Sequence, residues 1–312
     1  MNEKRYLGID IGGTKTNIGI VSEDGTVLIK KQIRSNLGFG ITAYVQDVCD
    51  HVFGLLTECN LMLDEIARIG IGIPGTANSK TGIVEYSSNL FGCDIPLAKY
   101  FEERLMRKID IVQDSWAAAW GEKKFGAGRN FENFACVTLG TGIGCGVIIN
   151  NDIYSGPMHT ACEIGHTPIM KDGRNCSCGK KGCLETYASG TAILKQAMEQ
   201  FPEKMYGKER AETVFTLADS GDEQAAELIT SCVDKLAYGL AILIDITSID
   251  TILISGGLCV HKKRIIDPLP ELIMGYGYDS WAKEKRIKVI QAELGSDAPM
   301  IGASHIFEQI DR

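Results

Sequence analysis

The pattern that most limits how this chain can fold occurs twice. Leu7-Gly8-Ile9-Asp10-Ile11-Gly12-Gly13-Thr14-Lys15-Thr16-Asn17-Ile18-Gly19-Ile20-Val21 reads as a strand, a glycine turn and a second strand. Ala135-Cys136-Val137-Thr138-Leu139-Gly140-Thr141-Gly142-Ile143-Gly144-Cys145-Gly146-Val147-Ile148-Ile149 reads the same way, with Thr138 aligned to Asp10. A polar turn follows each copy, at Glu23-Asp24-Gly25 and at Asn150-Asn151-Asp152. Glycine hairpins are common in sheets, but two in matched register, each opening a stretch of domain size, point to duplication. A third apolar strand over residues 251–258 ends in Gly256-Gly257. It follows a helical stretch around residues 223–247, where Leu228, Val233, Leu236, Leu240 and Leu243 fall near helical spacing. Residues 41–59 carry Val45, Val48, Val52, Leu55 and Leu56 on one helical face. Strands and helices alternate after each hairpin, so the fold class is α/β, duplicated.

A length of 312 residues favours two domains. No apolar run is long enough to span a bilayer. The net charge of −8 leaves no basic footprint for nucleic acid. An acidic chain that binds a polyanion must make its positive potential locally, and backbone N–H groups in glycine turns supply it. No segment fits the P-loop spacing. Gly70-Ile71-Gly72-Ile73-Pro74-Gly75 has the spacing of the dinucleotide fingerprint, but Pro74 and the residues after it read as turn, not as the helix that motif needs.

Between residues 163 and 185 lie His166, Cys176, Cys178 and Cys183. One imidazole and three thiols in so short a span can close a tetrahedral zinc site, and four protein ligands leave no open position for chemistry. The opening MNEKRYLGID has no apolar signal segment, so a cytoplasmic chain with reduced thiols is expected. Disulfides or plain buried thiols are the competing reading. The other eight cysteines (Cys49, Cys59, Cys93, Cys136, Cys145, Cys162, Cys232 and Cys259) are scattered and read as small core residues. Glu163 precedes His166 by three residues and Glu185 follows Cys183 by two. A metal-braced loop would aim these two carboxylates, and paired rigid carboxylates suit the hydroxyls of a polyol such as a sugar.

Residues 109–112 read as a strand, followed by Gln113, Asp114, Ser115 and an alanine-rich helix start. Asp114 at that apex is reachable by substrate. From spacing alone it serves equally well as a helix cap and as a general base.

With these residues in place, the chain resembles the ROK family of sugar kinases, within the actin and hexokinase superfamily, over nearly its whole length. The resemblance rests on Asp10-x-Gly12-Gly13-Thr14, Gly72-Ile73-Pro74-Gly75, Asn89-Leu90 with Pro96-Leu97, and Asp114. It also rests on Gly140-Thr141-Gly142, Glu163-x-Gly165-His166, the three zinc cysteines with Leu184-Glu185, and Gly256-Gly257. It implies a two-domain actin/hexokinase-like (ribonuclease H-like) ATPase fold, with ATP, Mg²⁺ and a structural Zn²⁺. By the same resemblance Asp114 is the catalytic base, and Asp10 organises the metal on the nucleotide. Gly12, Gly13, Thr14, Lys15, Gly140, Thr141 and Gly142 face phosphates, and Gly256 and Gly257 lie by the adenosine. Gly75, Asn89, Gln113, Glu163, His166 and Glu185 face the sugar, and His166 also ligates zinc with Cys176, Cys178 and Cys183.

The expected reaction is transfer of the γ-phosphate of ATP to the 6-hydroxyl of an aldohexose: glucose first, with allose or mannose as competitors. The two domains are expected to close over the sugar and exclude water. An N-acyl hexosamine kinase and a non-catalytic sugar sensor are the alternatives. A repressor with an added N-terminal DNA-binding domain is not expected, since the first phosphate strand begins within a few residues of Met1, and the sensor is disfavoured because Asp10 and Asp114 are both kept. The small domain is expected over 1–115, completed by a helix over 298–312, and the large domain over 116–297. Homodimers are frequent in the family, so a homodimer is expected. Three positions depart from the family's pattern: Gln113 where Asn usually precedes the catalytic Asp, Trp116 where a second Asn often follows, and Gly92 where Trp is frequent.

Overall fold

The computed structural model describes residues 4–87, 90–208, 210–282 and 287–311. It forms two compact units. The first comprises Met1–Glu132, Gly146–Ala161 and Ser296–Arg312, and the second Asn133–Cys145 and Cys162–Gly295.

The strands are β1 (Arg5–Ile11), β2 (Lys15–Ser22), β3 (Val27–Arg34), β4 (Ile66–Ile73), β5 (Thr76–Asn78), β6 (Ile83–Ser87), β7 (Gly92–Ile95), β8 (Ile109–Gln113), β9 (Phe134–Leu139), β10 (Ile143–Ile149), β11 (Asp152–Ile153), β12 (Thr251–Ser255) and β13 (Lys288–Gln291). One five-stranded sheet has the order β3-β2-β1-β4-β8, and the other β11-β10-β9-β12-β13. Position by position these are the same topology. Each has a glycine hairpin (β1–β2 or β9–β10), a following strand beyond it, and two later strands added in parallel on the other side. The duplication seen in the sequence is therefore a duplication of sheets. A small antiparallel sheet, β5-β6-β7, follows Pro74-Gly75.

In the first unit, alternation along β1 and β4 sorts side chains onto two faces. Leu7, Ile9, Ile69 and Ile71 are buried in a core with Val45, Val48, Val52 and Leu55 of the helix Ile41–Glu58. The intervening Gly8 and Gly70 face the helix Ala298–Ser304. A Cβ on Gly70 would lie 1.8 Å from the Ala303 carbonyl oxygen, and one on Gly8 would lie 2.1 Å from that of Met300. Backbone rests on backbone there, which only glycine permits. The edge strand β3 turns Lys30, Lys31, Gln32 and Arg34 outward, which discourages pairing with other chains. In the second unit the helix Glu223–Thr247 buries Leu228, Val233, Leu236, Leu240 and Leu243, as the spacing predicts, and Asp222 caps it by accepting from the Ala225 N–H at 3.0 Å. No described helix is long and apolar enough to cross a membrane.

The C-terminal stretch is not one helix. Ala298–Ser304 and Phe307–Ile310 are separate, broken at His305, whose ring is 1 % exposed among Tyr6, Phe125 and Phe307. The Ser304 hydroxyl donates to the Ile301 carbonyl at 2.7 Å and so accepts from His305 Nδ1–H at 2.8 Å. Nε2 is buried without a partner among the described residues. Burial, with a smaller push from Lys124, lowers the His305 pKa to about 4. An unfolded histidine titrates near 6.5, so acid protonates the unfolded chain first and stability is lost from about pH 6.5 down to 4. Between pH 7 and pH 5 this amounts to about 2 kcal/mol. Asp10, raised to about 6 mainly by burial, has the opposite sign below pH 6. The readout is therefore a difference: chemical denaturation at the two pH values should show His305→Phe losing about 2 kcal/mol less than wild type. Equal losses would place the acid sensitivity elsewhere.

Candidate active site and metal centre

In the first unit Asp10, Gly75, Gln113 and Asp114 lie at or just beyond the carboxyl ends of the parallel strands β1, β4 and β8, where open α/β sheets bind ligands. Asp10 of β1 is in register with Gly72 of β4. A Cβ on Gly72 would lie 3.7 Å from the Asp114 Cα. Asp10 and Asp114 thus flank one glycine. The half-buried Asp10 accepts from Asn17 Nδ2 at 3.1 Å across the hairpin, and Gln32 Nε2 holds Asn17 Oδ1 at 2.8 Å. Burial raises the Asp10 pKa to about 6; the Asn17 bond opposes this and Asp297 adds to it. A carboxylate so placed favours a cation beside it.

The Gly12-Gly13-Thr14-Lys15 turn closes on itself through Gly12 N–H to the Lys15 carbonyl at 2.9 Å, leaving Gly13, Thr14 and Lys15 exposed. Gly75 has φ +104°, and a Cβ there would meet the Tyr86 carbonyl oxygen at 2.3 Å, so the turn after β4 requires glycine. Gln113 is buried, and the helix Asp114–Phe125 begins at Asp114 itself, one residue earlier than a capping role would have it. The Asp114 carboxylate accepts the Ser115 N–H at 2.6 Å. The Trp116 indole N–H next along is buried without a partner among the described residues. Asn89 lies outside the described residues.

The second unit carries the other turn. Gly140 N–H donates to Gly142 O at 3.0 Å, and Thr141 is exposed. Ser255 of β12 is in register with Thr138 of β9, so Gly256, at φ +88°, packs against Leu139 beside this turn, with Gly257 exposed.

His166, Cys176, Cys178 and Cys183 present four ligand atoms, all within 4.8 Å of one another. Cys178 Sγ and Cys183 Sγ are 3.7 Å apart, and Cys176 Sγ is 3.6 Å from His166 Nδ1. A tetrahedron with metal–sulfur bonds of about 2.3 Å has edges of about 3.8 Å, so the donor set fits zinc in size and chemistry. Nδ1 faces the cluster, leaving Nε2 on the far side of the ring. Burial and the neighbouring thiols push Cys183 up to about 12, whereas a bound divalent cation holds such thiols deprotonated. Two isolated bridges, Pro168 with Cys183 and Asn175 with Lys181, are the loop's only regular pairing among the described residues. Glu163 and Glu185 are half-buried at the two ends of this loop. Of the remaining cysteines Cys49, Cys136, Cys145, Cys232 and Cys259 are buried, Cys59 and Cys162 half-buried, and Cys93 exposed.

Sequence reasoning missed Asn17 as the partner of Asp10, a pairing contained in the hairpin register. It also missed what Glu185 touches. One carboxylate oxygen accepts the Ile143 N–H at 3.1 Å, and the other lies 4.0 Å from Cys176 Sγ. No local signal links residues so far apart.

Duplicated sheets, each with a glycine turn, and the carboxylates Asp10 and Asp114 at the strand ends of the first belong to a two-domain sugar-kinase fold of the hexokinase-like group. The crystal structure of a ROK family glucokinase from Streptomyces griseus in complex with glucose and AMPPNP matches with a TM-score of 0.85 at 29 % identity, over 97 % of this chain and 98 % of that one. The ROK family model matches residues 6–310, and the chain belongs to that family. The glucokinase of Thermotoga maritima is 32 % identical over an alignment 323 positions long, covering 99 % of each protein. The N-acetylmannosamine kinase of Vibrio cholerae is 34 % identical over 308, covering 98 % of this chain and 100 % of that protein.

Proposed function

We propose that this chain is an ATP-dependent hexose kinase that transfers the γ-phosphate of ATP to the 6-hydroxyl of an aldohexose, with glucose the leading substrate. The observation that carries this reading is the pair Asp10 and Asp114 on either side of Gly72, at the carboxyl ends of parallel strands. Phosphoryl transfer needs positioning, charge neutralisation and an aligned nucleophile. Asp114 accepts the proton of the 6-hydroxyl as it attacks phosphorus. Asp10 orients the cation that travels with ATP. Mg²⁺, when bound, neutralises phosphate charge. The turns Gly12-Gly13-Thr14-Lys15 and Gly140-Thr141-Gly142 hold the phosphates, through N–H groups other than those of Gly12 and Gly140, which close the turns themselves, and Gly256 and Gly257 border the adenosine. Glu163, Glu185, Gln113, Gly75 and Asn89 receive the sugar. His166 gives Nδ1 to a structural zinc, with Cys176, Cys178 and Cys183, and turns Nε2 to the sugar. The relatives and the glucose complex of the Streptomyces griseus enzyme support glucose, and the Vibrio cholerae relative supports an N-acyl hexosamine as the second reading.

The test is a panel of hexoses and N-acyl hexosamines with ATP, read by ADP release. A buried acceptor left without its donor costs about 1–3 kcal/mol, so epimers should differ roughly tenfold to a hundredfold in kcat/KM. Gln113 is one methylene longer than the Asn usual there and re-aims a contact to the ring. Gln113→Asn is therefore expected to move preference toward glucose where glucose is not already best. Equal kcat/KM for every hexose, or phosphorylation of a non-sugar alcohol alone, would overturn this reading of the pocket.

A further inference from the structure

The second glycine turn does not stand by itself. Its last residue, Ile143, is held on both sides by the metal loop. The Ile143 N–H points at Glu185 Oε2, at 3.1 Å. The Ile143 carbonyl is covered by Gly165, where a Cβ would lie 2.1 Å from its oxygen. Glu185 follows the ligand Cys183 by two residues, and Gly165 precedes the ligand His166 by one. Leu184 N–H donates to the Thr167 carbonyl at 3.0 Å, tying the two ends of the loop together behind these contacts. The start of the turn is fixed as well, since Gly140 O accepts the Gly190 N–H at 2.9 Å. Glu185 Oε2 is also close enough to Gly142 that a Cβ there would lie 2.2 Å from it. The turn therefore takes its shape from the loop, through a carboxylate with one oxygen on the turn and the other beside Cys176.

We infer that Glu185 is a positioning residue for the nucleotide: it holds the Gly140–Ile143 turn in the shape that presents its N–H groups to phosphate, whether or not sugar is bound. This rests on the kinase reading and extends it, because that reading gives Glu185 to the sugar alone. A carboxylate has about four acceptor sites, so one oxygen on the Ile143 N–H leaves room for a sugar hydroxyl. Filling either partner then stiffens the other. Sugar that fixes Glu185 fixes the phosphate turn.

The test measures ATP affinity by calorimetry, with Mg²⁺ and without sugar, in the wild-type chain, Glu185→Ala and Glu185→Gln, with zinc content and melting temperature recorded for each. Glu185→Ala leaves the Ile143 N–H without its charged acceptor and should weaken ATP about tenfold. Glu185→Gln keeps an acceptor oxygen and should restore most of that loss, while still weakening sugar. If Glu185→Ala unfolds or loses zinc, Gly165→Ala presses on the Ile143 carbonyl from the other side and should weaken sugar-free ATP binding in the same way. Wild type that binds ATP, with zinc-loaded Glu185→Ala binding it equally well, would overturn the inference and leave the kinase reading standing. Gly165→Ala with zinc intact and unchanged ATP affinity would do the same. Wild type that binds no ATP would overturn the kinase reading itself.

Discussion

Asp114→Asn is expected to lower turnover roughly 10²–10⁴-fold, the usual worth of a positioned general base, and to leave the fold and most of the sugar affinity in place. The amide keeps the shape of the carboxylate, and its oxygen can still accept the Ser115 N–H that Asp114 holds at 2.6 Å. What the amide cannot do is take a proton at neutral pH. The 6-hydroxyl of a sugar is a weak nucleophile until its proton has somewhere to go, so the loss should fall on kcat. Steady-state kinetics with the preferred sugar, a calorimetric Kd for that sugar and a melting curve separate the cases. Low turnover with near wild-type Kd and melting temperature identifies the base. Near wild-type turnover would reduce Asp114 to a residue that starts a helix.

Local signals carried much of this fold. The repeated strand–glycine–strand pattern gave both hairpins, and the apolar spacing gave the helices Ile41–Glu58 and Glu223–Thr247 nearly to the residue. The failed dinucleotide fingerprint was legible too, since β5 and not a helix follows Pro74-Gly75. Four chelating side chains within a short span announced their cluster because little chain separates them. The contacts that escaped are the long-range ones. Nothing near Gly8 or Gly70 says that the chain's far end will lie on them, although isoleucine alternating with glycine marks a face made for close approach. Nothing near His305 marks the break in the C-terminal helix, where its ring packs among those of Tyr6, Phe125 and Phe307. The start of the helix at Asp114 escaped because cap and first-turn positions share residue preferences. The grip of Glu185 on Ile143 escaped because a backbone N–H has no sequence signature at all.

The purified chain is expected to carry about one zinc, and Cys178→Ser to lose it and, with it, most of the sugar affinity. Sulfur–sulfur and sulfur–nitrogen separations of 3.7 and 3.6 Å already match a tetrahedral site. The loop around them has two isolated bridges as its regular pairing among the described residues, with single backbone bonds such as Cys176 N–H to the Lys180 carbonyl beside them, so a metal would add a strong cross-link to a loop without a sheet or long helix of its own. Structural zinc contributes on the order of 10 kcal/mol to the segment it closes. Replacing a thiolate by a hydroxyl removes one sulfur ligand and lowers zinc affinity, and the loss of occupancy is greatest at low free zinc. Three of the proposed sugar contacts, Glu163, His166 and Glu185, sit on this loop, whereas the phosphate turn feels it through the Glu185 bond and the Gly165 contact. The sugar Kd should therefore rise by tenfold or more, at about a factor of ten per lost hydrogen bond, and the ATP Kd by less. Elemental analysis of wild type and Cys178→Ser, before and after dialysis against a chelator, gives the metal content. Calorimetry on the same samples gives the two affinities. A wild-type preparation that phosphorylates sugar at full rate with no metal bound would show that hydrogen bonds among the thiols and His166 suffice to shape the loop, and the zinc assignment would fall.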